Sequence, residues 1–286
     1  VVNFITNAPS DAAAVVHAMI AHPAVKRVNF TGSTHVGKLI AATCAQYLKP
    51  VVLELGGKAP LLVLDDADLE AAVNGAAFGA FANSGQICMS TERIIVDSKI
   101  ADEFVARLAA KTTGLPLGDP RQGPVVLGSV VDMSTVKRCN ALIDDAVAKG
   151  ARLVCGGNAD NTLMAATLLD HVTPAMKIYS EESFGPVKAI VRVNGTEEAV
   201  ACANDNAYGL SSAVFGRDIA RALQVAQRIE SGICHVNGPT VHDEPQMPFG
   251  GVKGSGIGRF GGRAGIDAFT DLRWITVQTT PRHYPF

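Results

Sequence analysis

The sequence has no long apolar run and no excess of either charge. No apolar run within the 286 residues reaches the roughly 18 to 20 residues that a bilayer-spanning helix needs. The formal net charge of −2 gives no reason to expect a nucleic-acid or acidic-membrane partner. A hydrophobic content of 48% and a mean hydropathy of +0.20 describe a globular protein with a large core.

Closely spaced cysteines are also missing. The six cysteines contain no C-x-x-C pair, and the seven histidines show no ligand spacing. Zinc sites and disulfide frameworks depend on such spacing, so we predict neither, and no metal. Scattered cysteines fit a reducing compartment, so the prediction is a cytoplasmic protein. The cysteines are Cys44, Cys88, Cys139, Cys155, Cys202 and Cys234.

Strand-like segments alternate with amphipathic helices, which predicts an α/β protein with largely parallel sheets. In residues 135–149 the apolar positions recur at helical spacing and place Cys139 in the core. Strands are predicted at 27–30, 51–53, 93–96, 187–193, 211–215 and 232–237. Helices are predicted to start at 32 and to cover 69–80, 101–111, 135–149 and 218–229.

Cys88 lies in a short polar turn between an Ala-rich helical run and the strand at 93–96. Structural cysteines usually lie inside an apolar periodic segment. A nucleophilic cysteine lies at the end of an element, where backbone N–H groups stabilise its thiolate. Position alone favours neither interpretation.

The carboxylate of Glu54 strengthens the prediction that Cys88 belongs to a reactive site. This lone carboxylate ends an apolar strand 34 residues before Cys88, and Gly56 and Gly57 follow it. A carboxylate in such surroundings is a candidate general base with a raised pKa.

Residues 32–38 have the spacing G-x-x-x-x-G-K of a P-loop, but Leu39 stands where Mg²⁺ would need Ser or Thr. Helical spacing predicts that Leu39 points into the core. The strand–glycine–helix context still suits a phosphate or pyrophosphate, with the hydroxyls of Ser33 and Thr34 facing outward at a helix N-terminus. A simple helix N-cap without a ligand explains the loop equally well.

Six motifs occur in order along the chain. They are Phe-Thr-Gly-Ser-Thr-x-x-Gly at 30–37, Leu-Glu-Leu-Gly-Gly-Lys at 53–58, Asn-x-Gly-Gln-x-Cys at 83–88, Glu-Glu-Ser-Phe-Gly-Pro-Val at 181–187, Asn-x-Tyr-Gly-Leu at 206–210 and the glycine-rich run at 248–259. Together they resemble the aldehyde dehydrogenase superfamily, and the resemblance covers essentially the whole chain. The segment 241–248 and the ending 283–286 resemble its aromatic-aldehyde branch, which acts on salicylaldehyde, vanillin and benzaldehyde.

The resemblance implies a mechanism and a set of site residues. Cys88 would attack the aldehyde and Glu54 would activate the water that hydrolyses the thioester. Glu182 would hold the ribose hydroxyls on the nicotinamide side of NAD, with NADP as the alternative. The remaining cofactor residues would be Gly32, Ser33, Gly37, Leu55, Gly56 and Phe184. Ile87, Met89 and Phe249 would form an apolar lining for the substrate, although apolar residues beside a cysteine more often belong to the hydrophobic core.

The resemblance also implies a domain plan. Residues 1–56 would be the C-terminal part of a Rossmann-type dinucleotide-binding domain, 57–256 an α/β catalytic domain, and 257–286 a C-terminal segment. The strand predicted at 274–278 would add to a neighbour's sheet in a homodimer or homotetramer.

The chain opens with Val1 in mid-pattern, so we interpret it as the C-terminal part of a longer protein. The resemblance places a second oxyanion donor (an Asn), an adenosine-binding Lys and the NAD/NADP determinant upstream. We therefore expect weak activity from the isolated chain. A non-catalytic remnant and a cofactor-free cysteine esterase are the alternatives, and a P-loop NTPase is disfavoured.

Overall fold

The computed structural model describes residues 2–286. Short 3₁₀ turns occupy Pro9–Asp11 and Ala82–Gly85. The strands are β1 (Val28–Thr31), β2 (Val51–Glu54), β3 (Ala59–Val63), β4 (Thr91–Asp97), β5 (Arg152–Cys155), β6 (Thr167–Asp170), β7 (Val187–Val193), β8 (Tyr208–Gly209), β9 (Ser211–Phe215), β10 (Ile233–Val236), β11 (Val252–Lys253) and β12 (Gly256–Ile257). The helices are α1 (Ala12–Ala21), α2 (Thr34–Gln46), α3 (Leu69–Phe81), α4 (Ala101–Thr113), α5 (Met133–Ala148), α6 (Lys177–Ser180), α7 (Gly195–Asn204), α8 (Ile219–Ala226) and α9 (Gly262–Phe269).

Two main sheets organise these elements. A seven-stranded sheet has the order β10-β9-β3-β4-β7-β6-β5, and only its β5–β6 pair is antiparallel. A three-stranded sheet has the order β1-β2-β12, with β1 parallel and β12 antiparallel to β2. The α/β class with largely parallel sheets is therefore confirmed.

Alternating side chains of β3 and β4 point to opposite faces of the large sheet, because successive strand residues do so. Leu61 and Ile94 join a core cluster with residues of α3 and α4. Leu62 and Ile95 join another with residues of α5, α7 and α8. Helices therefore cover both faces, which explains why β4 is buried along its whole length.

Local capping signals act where the sequence predicted them. The Asp68 side chain accepts a hydrogen bond from the Ala71 N–H at the start of α3. Cys139 of α5 is fully buried, as predicted. Gly150 follows α5 with φ +100°, a conformation that favours glycine.

The prediction for the inner face of α2 is wrong in part. Leu39 is 57% exposed, and Gly37, Ile40 and Cys44 form the buried face instead. Thr34 does not face outward freely, since its hydroxyl donates to the Gly254 carbonyl at 2.9 Å. Helical spacing defines a stripe only to within about one position, and tertiary packing chooses among them. Leu39 still cannot bind Mg²⁺, because a leucine side chain has no ligand atom.

Residues 270–286 have no strand partner within the described part of the chain. Trp274 and Val277 are 90% and 82% exposed. The role predicted for this segment in assembly concerns a second copy and stays a prediction. Among residues 2–286, none of the helices has the length and apolar character that a membrane crossing requires.

Candidate active site

Residues at or near the strand ends of both sheets line one cavity. The three-stranded sheet contributes the carboxyl ends of β1 and β2. Strand β1 leads into residues 32–33, and β2 ends at Glu54. The large sheet offers the amino ends of β3, β4 and β7. Because these three strands are parallel neighbours, the segments that precede them lie along one edge. Those segments carry Gly57, Cys88 and Glu182.

The turn before β4 presents Cys88. Its backbone is left-handed at Asn83 (φ 51°), Ser84 (φ 56°) and Gly85 (φ 71°), a costly run for the two residues that carry a side chain. The Ser90 hydroxyl fastens the end of the turn by donating to the Gly79 and Ala80 carbonyls of α3. Cys88 itself is half-buried.

The pKa of the Cys88 thiol is raised, chiefly by burial and further by the nearby carboxylates Glu54 and Glu182. The backbone N–H groups of Met89 and Cys88 act in the opposite direction. The backbone N–H groups therefore favour the thiolate, as expected from the sequence, but burial and the two carboxylates raise the pKa by more.

Glu54 is the last residue of β2 and is only 4% exposed. Neither carboxylate oxygen has a hydrogen-bond partner within residues 2–286. Burial raises the pKa of Glu54 to about 7, although the positive charge of Arg259 lowers it somewhat. A carboxylate with a pKa near neutrality is well suited to take a proton from water, and the direction of the shift agrees with the raised pKa expected from the sequence.

Glu182 is fixed by backbone rather than by another side chain. Its Oε1 accepts a hydrogen bond from the Gly57 N–H at 2.7 Å. A Cβ on Gly56 would lie 2.7 Å from Oε2, so only glycine leaves this carboxylate in place. The pKa of Glu182 is raised, first by burial, while the Gly57 N–H lowers it. Phe184 follows with φ 44° and is half-buried.

Two cavities share Cys88 and Glu54 in their walls. The larger one measures about 570 Å³ and the second about 390 Å³. The larger is lined by Thr31, Gly32, Ser33, Glu54, Leu55, Gly56, Cys88, Arg138, Glu181, Glu182, Phe184 and Tyr208. The second is lined by Thr31, Glu54, Cys88, Asp243, Glu244, Pro245, Met247, Phe249, Phe260 and Gly261.

Most of the residues predicted to bind a cofactor thus line the larger cavity. Gly37 does not. It is buried against Leu55, where an added Cβ would lie 2.5 Å from the leucine side chain, so it allows α2 to pack on β2. The Ser33 hydroxyl accepts from the Val36 N–H at 3.3 Å and caps α2.

Of the predicted substrate residues, Phe249 lines the second cavity. Ile87 is half-buried and Met89 is buried, and neither lines this cavity or the larger one. Both side chains flank Cys88 in sequence, but a turn sends neighbouring side chains in different directions.

Sequence reasoning missed Arg138 and Tyr208 in the larger cavity. Tyr208 belongs to the quoted motif at 206–210 and was therefore recognisable. Arg138 lies on α5, where a positive charge on the polar face is typical of a solvated surface. Its Nε donates to the Ser183 carbonyl at 3.1 Å.

The larger cavity offers groups that can bind a hydroxyl and an anionic group. Among residues 2–286 the backbone N–H of Gly57 uses only Oε1 of Glu182, so Oε2 can accept a hydrogen bond from a ligand hydroxyl. Gly56 keeps the adjoining wall flat, and the N-terminus of α2 supplies a positive dipole end beside Gly32.

Comparison with known proteins decides the family. The model of the aldehyde dehydrogenase family matches residues 1–275. The chain belongs to the aldehyde dehydrogenase family. Its aldehyde dehydrogenase relatives include the vanillin dehydrogenase of Pseudomonas fluorescens, 64% identical over 285 residues, and the salicylaldehyde dehydrogenase of Pseudomonas putida, 53% identical over 287 residues. Both alignments cover 100% of this chain and 59% of the relative.

Solved aldehyde dehydrogenase structures have the same fold. The crystal structure of a salicylaldehyde dehydrogenase from Pseudomonas putida G7 complexed with salicylaldehyde has a TM-score of 0.96 and 53% identity, covering 98% of this chain and 58% of the other. An NAD-dependent aldehyde dehydrogenase from Sinorhizobium meliloti has a TM-score of 0.91 and 35% identity, covering 95% and 55%. The chain thus spans less than two thirds of the length of these relatives.

Proposed function

We propose that the protein oxidises an aromatic aldehyde to its carboxylic acid with NAD or NADP, using Cys88 as nucleophile and Glu54 as base. The observation that carries the proposal is that both residues line both cavities, so one thiol faces a cofactor-sized space and a separate, partly aromatic one. The vanillin and salicylaldehyde dehydrogenases named above support an aromatic substrate. A benzaldehyde dehydrogenase of Pseudomonas putida, named for NAD(+), is 40% identical.

Chemistry starts at the sulfur of Cys88. The thiolate adds to the aldehyde carbon and forms a C–S bond, and the carbonyl oxygen takes the negative charge of the hemithioacetal. The Cys88 N–H is one donor toward that oxygen. The oxidised nicotinamide, when bound, supplies the two-electron acceptor for the hydride that leaves this carbon. What stays on Cys88 is a thioester.

Glu54 then acts on water. Its carboxylate takes a proton from a water molecule as the oxygen attacks the thioester carbon, and the C–S bond breaks to release the acid and the thiolate. Neither Glu54 oxygen has a hydrogen-bond partner among residues 2–286, so neither has to give up such a bond first. Glu182 orients the ribose during the hydride step and takes no part in hydrolysis.

The second cavity favours an aromatic ring. Phe249, Phe260 and Met247 supply aromatic and thioether surface, which packs well against a flat ring.

The domain division at residues 56 and 256 belongs to the same proposal. The seven-stranded sheet lies between residues 59 and 236, and the three-stranded sheet uses 28–54 with 256–257. A homodimer or homotetramer and a cytoplasmic location stay predictions.

The test follows the absorbance of the reduced cofactor after mixing with benzaldehyde, vanillin or salicylaldehyde. A longer polypeptide that contains the chain should give a burst and then steady turnover, the 286-residue chain alone should give little of either, and Cys88→Ala should give neither. Cys155→Ala is the matched control, because Cys155 is also half-buried but lines neither cavity. Because the relatives are longer, the 286-residue chain is assayed beside any longer polypeptide that contains it.

A cofactor-free cysteine esterase is the second candidate, since Cys88 and Glu54 suffice for ester hydrolysis. Hydrolysis of 4-nitrophenyl acetate that depends on Cys88, without reduction of NAD or NADP in any preparation, would favour it. The absence of both activities would favour a non-catalytic chain and overturn the proposal.

A further inference from the structure

Three charged side chains are buried together beneath the active site. Glu92 is 2% exposed, and the side chains of Lys58 and Lys188 are fully buried. Glu92 Oε2 lies 2.8 Å from Lys58 Nζ, and Oε1 lies 2.8 Å from Lys188 Nζ. Burying ions is costly unless each is paired and hydrogen-bonded, so this cluster needs an explanation.

The cluster lies at the amino ends of three neighbouring strands. Lys58 immediately precedes β3, Glu92 is the second residue of β4 and Lys188 is the second residue of β7. The segments leading into these strands carry the reactive groups described above. The three charged groups therefore lie at the same end of the large sheet as Gly57, Cys88 and Glu182.

Lys188 Nζ also donates to the Ser90 hydroxyl at 3.2 Å, and the other hydrogen bonds of the cluster go to the residues on either side of Glu182. Lys58 Nζ donates to the Glu181 carbonyl at 2.6 Å. Glu92 accepts from the Ser183 N–H at 2.9 Å and from the Ser183 hydroxyl at 2.6 Å. The Glu182 carboxylate is itself held by the N–H of Gly57, the residue next to Lys58.

Glu92 stays ionised in this arrangement. Burial alone would raise its pKa, but Lys188 and Lys58 together hold the pKa at about 2. Hydrogen bonds to a charged acceptor are shorter and stronger than neutral ones, so the carboxylate is a firm anchor for the Ser183 N–H and hydroxyl.

We propose that the Glu92–Lys58–Lys188 cluster is a positioning element that fixes the loop at residues 181–184, so that Glu182 holds the cofactor ribose in the geometry needed for hydride transfer. The proposal rests on the function proposed above, because it assigns a cofactor role to Glu182. None of the three charged groups lines the larger cavity, so they act through Glu181 and Ser183 and not by touching the ligand.

The main test compares Glu92→Gln with Asp170→Asn. Asp170 is also fully buried, and it pairs with Arg192 and Arg152 at the other end of the strands. Both variants remove the charge of a buried ion-paired carboxylate, but only Glu92 touches the loop. A merely structural role predicts equal effects.

We expect Glu92→Gln to slow the burst of reduced cofactor by about 10- to 100-fold, since small misplacements of reacting groups have effects of this size. Cofactor affinity and cysteine-dependent hydrolysis of 4-nitrophenyl acetate should change less than about threefold, because neither needs the ring aligned. Asp170→Asn should leave the burst rate nearly unchanged. Ser183→Ala keeps all three charges and should also slow the burst, but by a smaller factor than Glu92→Gln. It replaces Glu92→Gln as the test variant if Glu92→Gln does not fold.

A second measurement works without turnover. Hydrogen–deuterium exchange in the 286-residue chain should speed up at residues 181–186 in Glu92→Gln and not in Asp170→Asn. Equal burst rates in wild type, Glu92→Gln and Ser183→Ala, or unchanged exchange at this loop, would overturn the positioning role. A wild type that never reduces cofactor would instead refute the proposed function, and the exchange result would still decide whether the cluster fixes the loop.

Discussion

Replacing Glu54 by glutamine should make the protein more stable while it loses turnover. Glu54 is buried, and neither of its oxygens has a hydrogen-bond partner in the part of the chain that the structure describes. Burial raises its pKa from an ordinary 4.5 to about 7. The folded state therefore tolerates the neutral carboxyl group better than the carboxylate. Glutamine has nearly the same shape and is neutral at every pH.

The sign of the effect follows from proton binding. Between pH 4.5 and 7 the folded protein holds a proton on Glu54 that the unfolded chain has released. The free energy of unfolding therefore falls as pH rises through this range. A pKa difference of about 2.5 corresponds to about 3 kcal/mol, reached above pH 7. Below pH 4.5 both states hold the proton and the contribution vanishes.

Urea unfolding of wild type and Glu54→Gln should be compared from pH 4.5 to pH 9. The variant should gain stability relative to wild type as pH rises, by up to about 3 kcal/mol or about 5 °C in Tm for a chain of this length. Glu70→Gln, which removes an exposed carboxylate, is the matched control and should show no such trend. A difference that does not depend on pH would refute the reasoning about burial.

The same variant tests catalysis. Deacylation by wild type should rise with pH and level off above about 7, where Glu54 is ionised. Glu54→Gln should keep the burst of reduced cofactor but lower steady turnover by about 10²-fold or more. A burst that falls together with turnover would assign Glu54 another role.

Four shorter predictions follow from the same site. Cys88 should be the first thiol alkylated by iodoacetamide, and peptide mass spectrometry that finds another cysteine ahead of it would contradict its accessibility in the turn. Gly56→Ala should slow the cofactor burst strongly, since the new Cβ would displace the Glu182 carboxylate, and an unchanged burst rate would argue against that contact. Asp243→Asn removes a negative charge from the cavity wall, so it should speed alkylation of Cys88 by the anion iodoacetate about twofold more than alkylation by neutral iodoacetamide. Equal changes with both reagents would show that the Asp243 charge lies too far from Cys88 to repel the anion. Truncation after Arg273 should change the oligomer seen by size-exclusion chromatography, and the same elution volume would exclude a role of the C-terminal segment in assembly.

Much of the fold was predictable because its signals are local. Apolar residues at helical spacing put Cys139 inside α5, and Asp68 marked the start of α3. Neighbouring residues carry these signals, so no tertiary structure is needed to see them. The ordered motifs also pointed to Cys88, Glu54 and Glu182, and the family they indicated is confirmed by the comparisons.

Other features depend on which strands become neighbours. Cys88 and Glu182 are 94 positions apart in sequence, and only the adjacency of β4 and β7 brings their segments to one edge. Arg138 is an exposed residue of α5, and only the packing of α5 brings it to the larger cavity.

The buried cluster is the clearest case. Lys58, Glu92 and Lys188 lie in three segments that are far apart in sequence, and no spacing pattern among neighbouring residues indicates that their side chains pair with one another. Periodicity specifies which side of an element is apolar, but the partners of a side chain are fixed by sheet order and register. That is why the sequence alone could predict Cys88 and Glu54 as candidate reactive residues, whereas only the tertiary structure determined what surrounds them and holds them in place.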